Sequence, residues 1–448
     1  MASLASEATA PRQKVYPRHS PGRFHNLRNV LSVGLQALLF LAPWVQWKGQ
    51  QAILLDVPGR RVFFFDLVLH PQETYFLLLL LILGALCLFA TTALAGRMWC
   101  GYACPQTLFT QSFIAVERFF EGDRAARMRL DKSPWDARKV GLKLSKLAVW
   151  SIMGGWLGLT FAGYYVPIRS IFADLISGHP LTSTLVMVGL FTAFSLFDFG
   201  WFREQFCCYL CPYARFQGSM LDSHSSIVGY DYNRGEPRGK VNAENAGDCI
   251  NCTMCVQVCP MGIDIRNGLQ LECIACAACV DACDEVMDKV SRPRGLVGYT
   301  SLQELEGKKV RWARPRVMVY ALLLTALSAL FVVLLLKRSP LGLDAVRQAP
   351  GGSQNYSVTA DGRISNPYLI HLVNRTRQPQ TVDLSLVGFP GAELVTPRNP
   401  YVLEPAEVAS LTAIVVHPRA GLAILSRFKI RAASGPLTLE KETNFLAP

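Results

Sequence analysis

The chain has 448 residues, about half of them apolar and only 17% charged, which excludes a single soluble globular domain and points to a membrane protein. Lysine and arginine number 45 against 33 acidic residues, a balance that in a membrane protein reports basic cytoplasmic loops rather than a nucleic-acid partner. Fourteen cysteines, eight of them clustered between Cys249 and Cys283, exclude a secreted disulfide scaffold and place that segment in a reducing compartment.

In chain order, residues 1–29 read as a basic cytoplasmic leader with Arg12, Lys14, Arg18, Arg23 and Arg28. The first apolar run, Val30 to Trp47, contains Gln36 and Pro43, and no small-x-small cleavage site follows it. It reads as an uncleaved span closed by the interfacial anchors Trp44 and Trp47. Tyr75 to Gly96, Leu147 to Val166, Leu181 to Phe202 and Val317 to Leu336 also approach the roughly 20 apolar residues that cross a bilayer as a helix. Basic residues crowd the loop from Arg97 to Lys143, whereas the loop from Lys48 to Thr74 holds only Lys48, Arg60 and Arg61, and 167–180 only Arg169. The leader, 97–146 and 203–316 are therefore expected in the cytoplasm, and everything after Lys337 outside.

At the cytoplasmic ends of the second and fourth spans the chain repeats a motif. Cys100-Gly101-Tyr102-Ala103-Cys104-Pro105 and Cys207-Cys208-Tyr209-Leu210-Cys211-Pro212 match again further on, at Phe109/Phe216 and Ser112/Ser219. This is an internal duplication of a two-helix unit. Proline after the second cysteine suits a helix start, whose free N–H groups favour a thiolate, so Cys104 and Cys211 are expected to be the more acidic thiols. Soft thiolates on a pseudo-twofold interface can hold Cu(I) or exchange disulfides; the plainer alternative is four thiols packed between helices. Cys208 has no counterpart at Gly101, and Cys87 reads as a small mid-span hydrophobe. Asp198, near the end of the fourth span, is a functional candidate or an ion-pairing residue. Met98, Met220 and His224 are weaker candidates for metal than for packing or solvation. The amphipathic run from Gln106 to Glu121 is expected on the membrane surface. Residues 30–229 make up this four-span membrane domain.

Cys249, Cys252, Cys255 and Cys259, then Cys273, Cys276, Cys279 and Cys283, form two C-x2-C-x2-C-x3-C runs. Three close thiolates wrap one cubane and the fourth reaches the other. Cys249, Cys252, Cys255 and Cys283 are assigned to one [4Fe-4S] cluster, and Cys273, Cys276, Cys279 and Cys259 to a second; paired zinc sites are the alternative. Pro260 follows the first run, but Asp284 follows the second, so the turn there is expected to differ. The ferredoxin domain spans 230–300, with polar linkers at Tyr230 to Asn245 and Arg292 to Arg316; the linker 301–316 leads to the fifth span, 317–336.

From 340 to 448 alternating strands at Tyr368 to Val373, Gln380 to Leu386, Val408 to Val415 and Phe428 to Ala432 read as a small immunoglobulin-like β-sandwich without a disulfide. Its histidines, His371 and His417, do not suggest a metal site. The fold class is thus an α-helical membrane protein of about five transmembrane helices, an inserted α+β two-[4Fe-4S] ferredoxin domain and a C-terminal immunoglobulin-like sandwich.

This combination, over essentially the whole chain, resembles the FixG/CcoG-type cytochrome c oxidase accessory proteins of bacterial membranes. The doubled motif is shared with membrane ferredoxins of periplasmic nitrate reduction, from which the C-terminal sandwich separates it. The resemblance implies two [4Fe-4S] clusters and reduction of Cu(II) to Cu(I) for a cbb-type cytochrome c oxidase, in the bacterial inner membrane with the sandwich periplasmic. Cys100, Cys104, Cys207 and Cys211 would hold copper as substrate. The partners implied are an unknown cytoplasmic electron donor, a copper chaperone or transporter, and the oxidase subunits; copper could be held within one chain or across a homodimer. A quinol-linked relay and a non-catalytic redox-sensing scaffold are the other two readings.

Overall fold

A computed structural model describes residues 14–241, 245–348, 356–419 and 422–447. Arg12 and the first 13 positions of the expected leader lie outside the described residues, as do 242–244 of the first expected linker. The chain divides into two compact units, Met1–Ala42 with Leu78–Gly163 and Ile168–Ala329, and Pro43–Leu77 with Tyr164–Pro167 and Leu330–Pro448.

Among the described residues, four helices are long and apolar enough to span a membrane: Arg23–Trp44, Thr74–Ala95, Thr182–Phe202 and Pro315–Leu336. They correspond to the first, second, fourth and fifth expected spans. The third, Leu147 to Val166, overlaps a 27-residue helix, Ala137–Gly163, which ends before Tyr164 and falls short on composition. Its glycines explain part of the shortfall, and they serve packing: a Cβ at Gly158 would lie 3.0 Å from Val188 Cα and one at Gly154 3.3 Å from Thr192 Cα. Small residues let this helix lie close against Thr182–Ser195. The latter continues as a π-helix over Leu196–Phe202.

One expectation for this unit is corrected, and one feature was not foreseen. Helix Pro105–Glu121 does not leave its apolar face to lipid; Phe109 and Phe113 pack with Trp150, Leu157 and Phe199, while Phe119 stays exposed. The described part of the leader packs against the rest of this unit. Its Lys14 pairs with Asp131 at 2.7 Å, the Pro17 carbonyl accepts from Arg127, and the Arg18 N–H donates to the Gln257 carbonyl. The first helix begins at Arg23, seven residues before the expected span. Its exposed N–H groups at Phe24 and His25 are capped at 3.2 and 2.7 Å by the carboxylate of Asp281, far along the chain. A carboxylate there satisfies orphan donors and meets the positive end of the helix dipole.

The ferredoxin segment carries helices Met254–Gln257 and Ala278–Lys289. Strands Ile227–Tyr230 and Val297–Thr300 pair antiparallel and close the segment at its two ends. Both expected linkers are therefore partly structured: Tyr230 is a buried strand residue, and a capping box of Ser301 and Glu304 starts the short helix Leu302–Leu305.

In the second unit, two antiparallel sheets face each other around a core of Leu341, Tyr368, Ile370, Leu384, Val415, Phe428, Ile430 and Phe445. One sheet orders Glu393–Val395, Val408–His417, Ile364–Asn374 and Leu341–Arg347, with Ser357–Val358 beside the third; the other orders Tyr401–Leu403, Gln380–Val387, Leu425–Ser434 and Leu437–Leu446. All four expected strands are present and longer, and five more complete the sandwich. The loop from 46 to 69 also forms short strands, and its Phe63 and Val68 pack on Ala406. Glu73, buried beside them, pairs with Arg338 at 2.6 Å and Arg375 at 3.1 Å.

Candidate iron-sulfur and thiol centre

No disulfide joins any of the fourteen cysteines. Cys249, Cys252, Cys255 and Cys283 line one cavity of about 360 Å³, and Cys259, Cys273, Cys276 and Cys279 line another of about 360 Å³, on which Cys255 also borders. Each lining contains the four residues that the spacing of the runs assigns to one cluster.

The backbone of both runs is shaped alike. Asn251 and Thr253 flank Cys252 in the left-handed region, and Ala275 and Ala277 flank Cys276 in the same way. Alternation of this kind turns successive N–H groups inward into an anion-binding concavity of the sort that surrounds iron-sulfur sites, and such strain concentrates at functional sites. Burial pushes Cys255 and Cys273 up to about 11 and Cys259 and Cys283 up to about 12. Buried soft donors with preformed loops fit two [4Fe-4S] clusters, held by the two sets just named. At the end of the second run, Cys283 and Asp284 lie inside the continuous helix Ala278–Lys289, where a proline would break the hydrogen-bond ladder. Asp284 instead accepts from the Gly295 N–H at 3.0 Å.

The repeated motifs start helices as their prolines require. Cys104 precedes Pro105–Glu121 and Cys211 precedes Pro212–Met220. Cys100, Cys104, Cys207 and Cys211 come together: burial pushes Cys207 up to about 12, with Cys104, Cys100 and Cys211 adding to the shift. Cys100 is pushed up to about 11 by burial, opposed by the Arg97 charge. Cys104 is the more acidic thiol of its motif, as expected, being raised less than Cys100. The Gln106 and Thr107 N–H groups do stabilise its thiolate, but burial outweighs them and the thiol is raised. Cys208 is raised to about 11 by burial and then by the charges of Glu272 and Glu204, while Cys87 is exposed on its helix.

Cys100 lies in one buried cluster with Ile274, Cys276 and Ala278. A Cβ at Gly101 would stand 2.7 Å from the Ile274 carbonyl oxygen and 2.9 Å from Cys276 Cα, so the first motif and the second cysteine cavity meet backbone to backbone. Sequence reasoning missed three residues that fasten this contact, Arg97, Gln217 and Tyr299. Arg97 donates to the Leu271 carbonyl, to the Ala214 carbonyl at 2.7 Å and to Gln217 Oε1 at 2.7 Å; Gln217 Oε1 also accepts from Cys100 Sγ at 3.4 Å. The Tyr299 hydroxyl bridges the Ala275 carbonyl oxygen at 2.6 Å and the Tyr102 hydroxyl at 3.0 Å. An arginine buried at a helix end and a repeated tyrosine were the available signals.

Of the lesser candidates, Asp198 is buried and accepts from Gln106 Nε2 at 3.1 Å, His224 Nδ1 accepts from the Arg311 N–H, and His371 contacts Ser410 Oγ. Among the described residues, no three His, Cys, Asp or Glu are gathered closely enough to hold a single metal ion.

Residues 202–302 match the 4Fe-4S dicluster domain, 77–120 the 4Fe-4S binding domain, and 331–448 the immunoglobulin-like fold at the C-terminus of FixG. Protein RdxB of Cereibacter sphaeroides is 40% identical over 424 aligned positions, 88% of each chain. Nitrogen fixation protein FixG of Rhizobium meliloti is 34% identical over 491 aligned positions, 98% of this chain and 93% of that one. A crystal structure of a FixG-related protein from Vibrio parahaemolyticus covers 24% of this chain and 97% of its own, at 20% identity and a TM-score of 0.22. With near-complete coverage by such relatives, and with the cysteine cavities in place, the chain belongs to the FixG family and is an iron-sulfur electron-transfer protein.

Proposed function

We propose that this chain is a membrane oxidoreductase that reduces Cu(II) to Cu(I) at Cys100, Cys104, Cys207 and Cys211, supplying the copper centre of a cbb-type cytochrome c oxidase. The carrying observation is the backbone contact of Gly101 with Cys276, which sets the thiol group against the second cysteine cavity. When bound, the two clusters supply single electrons, the number the Cu(II)/Cu(I) couple consumes. The chain's own part is chemical selection. Thiolate sulfur favours Cu(I), and thiols raised by burial give up their protons as the ion binds. Arg97 and Gln217 fix the Cys100 side of the group.

In this reading the protein sits in the bacterial inner membrane, with the ferredoxin segment and thiols cytoplasmic and the sandwich periplasmic. The grouping of 43–77 and 164–167 with the sandwich, apart from the basic loops and the ferredoxin, supports that sidedness and a fifth crossing by helix Ala137–Gly163. A cytoplasmic donor loads electrons; a copper chaperone or transporter, or the oxidase itself, receives Cu(I). The sandwich serves as the docking face for these partners.

The test is anaerobic. Reduced protein is mixed with Cu(II), its iron-sulfur EPR signal followed, and the four-cysteine-to-serine variant compared at equal iron content, about eight irons per chain for two cubanes. Oxidation of the clusters with formation of bound Cu(I) in the wild type, and neither in the variant, supports copper reduction. Like behaviour of the two proteins refutes it. One observation favours a second reading, a quinol-linked relay with structural thiols: burial raises the Cys100 and Cys207 thiols, as for inert packed cysteines. That reading requires cluster redox changes that follow added quinol and ignore copper.

A further inference from the structure

Within the first unit a cavity of about 860 Å³, mouth included, opens between the N-terminal strap, helix Pro105–Glu121, residues 203–207 and the second cysteine run. One wall is apolar: Val258, Pro260, Met261, Ile274 and Ala278, neighbours of the second cysteine set. The facing wall carries Arg28, Arg118 and Arg203.

These guanidinium groups are incompletely paired. Arg28 is 8% exposed and Arg203 4%, yet Arg28 Nε and Arg203 Nη2 have no hydrogen-bond partner among the described residues, and neither has Arg118 Nε. The Ser20 and Thr110 hydroxyls on the same lining are also buried without partners. Nor does the charge behind the wall balance. Lys14, Arg127, Lys143, Lys146 and Arg203 share only Glu117, Glu121 and Asp131, and no ion pair to Arg28 or Arg118 occurs among the described residues. Glu204 is the one carboxylate on the described lining. Burial and the Arg118 charge lower the His19 pKa, opposed by Asp123, and burial and the Arg28 charge lower that of His25, opposed by Asp281. Arg203 keeps Glu117 as a partner at 2.9 Å, and the shortfall of counter-charge falls on Arg28 and Arg118, where an anionic ligand would offset the loss of solvation.

We propose that this cavity binds the phosphoryl group of a small molecule, with Arg28, Arg118 and Arg203 on its oxygens, Ser20 and Thr110 donating to it, and the remainder against the apolar wall. Planar N–H forks match tetrahedral oxyanions in pairs, and hydroxyls complete the set. Two sources carry this chemistry: a soluble redox nucleotide and an anionic phospholipid. The proposal is independent of copper reduction, because it concerns binding alone.

The experiment uses the full-length protein in detergent and in nanodiscs. Binding of flavin mononucleotide, with inorganic phosphate as competitor, is measured by calorimetry, and co-purifying phosphatidylglycerol by native mass spectrometry. Wild type is compared with Arg28→Gln/Arg118→Gln and with Arg28→Lys/Arg118→Lys, which keeps the charge and guards against misfolding. Saturable nucleotide binding that phosphate displaces, weakened at least tenfold by the glutamine pair and less by the lysine pair, supports a nucleotide. One retained lipid per chain, lost in the glutamine pair and kept in the lysine pair, supports a phospholipid. Binding of neither probe, or equal binding by all three proteins, overturns the proposal.

Discussion

The two copies of the Cys-x3-Cys-Pro motif share their cysteines, tyrosine and proline but not their surroundings. Tyr102 and Phe109 of the first copy are each 6% exposed, whereas Tyr209 and Phe216 of the second are 57% and 61% exposed. The first cysteine helix, Met98–Tyr102, is α-helical; its counterpart Phe206–Leu210 is a π-helix, a form that marks functional sites more often than ordinary packing. Phe109 owes its burial to Phe113, Trp150 and Phe199, and the ferredoxin contact of the first copy follows from one position. Gly101 lets the backbone of the second cysteine run approach within contact distance, and Cys208 at the equivalent place would not. Duplication supplied four thiols, and one glycine lets the first motif meet the second cysteine run backbone to backbone.

The largest expected break in this asymmetry is at the phenylalanines. Phe109 stacks on Phe199, at 5.3 Å between ring centroids, inside a cluster with Phe113 and Trp150. Phe109→Ala is expected to destabilise by about 3–5 kcal/mol, as for a large buried aromatic. Phe216→Ala should cost less than about 0.5 kcal/mol. Thermal unfolding of both variants in one detergent measures the contrast, and equal losses would mean that the second copy is covered after all.

At Gly101 the effect is smaller but more specific. Gly101→Ala drives a methyl group into the Ile274 carbonyl and Cys276 backbone, an overpacking of about 1–3 kcal/mol aimed at the docking contact. Protease should then cut more rapidly within 230–300, and copper should oxidise reduced clusters more slowly, while iron content is kept. Cys208→Ala, at the matching place, should leave both rates unchanged. Slowing by Cys208→Ala as much as by Gly101→Ala would end the argument that one copy docks.

The two cysteine sets were legible because cluster ligands must recur at fixed, short spacing, and the four long sandwich strands because residues alternate in and out. Strand Leu437–Leu446 escaped notice because Glu440, Lys441 and Glu442 interrupt its alternation, and the strands from 46 to 69 because two to four residues carry no periodic signal. The strapped leader was illegible for another reason. Its helix cap, Asp281, stands more than 250 positions away, and nothing local announces such a partner. The order of acidity of Cys104 and Cys100 was legible from the helix start, whereas the rise of both was not, because burial depends on the fold. Gly101 was visible as a mismatch in the repeat, but its meaning needed the backbone of Cys276 beside it.

The smallest contrast lies in the tyrosines. Tyr102 meets the Tyr299 hydroxyl at 3.0 Å, and Tyr299 is fixed by the Ala275 carbonyl between two cluster-run cysteines, whereas Tyr209 is largely exposed. A net hydrogen bond is worth about 0.5–1.5 kcal/mol, so Tyr102→Phe should lower stability by that amount and Tyr209→Phe by next to nothing. Stability alone would not distinguish a bond that braces the docked ferredoxin from one that merely fills a gap. The bracing role also requires that Tyr102→Phe and Tyr299→Phe be non-additive, the double variant losing no more than either single one. Additive losses would show that the two hydroxyls act separately, and the link between the first motif and the cluster run would then rest on Gly101 and Arg97.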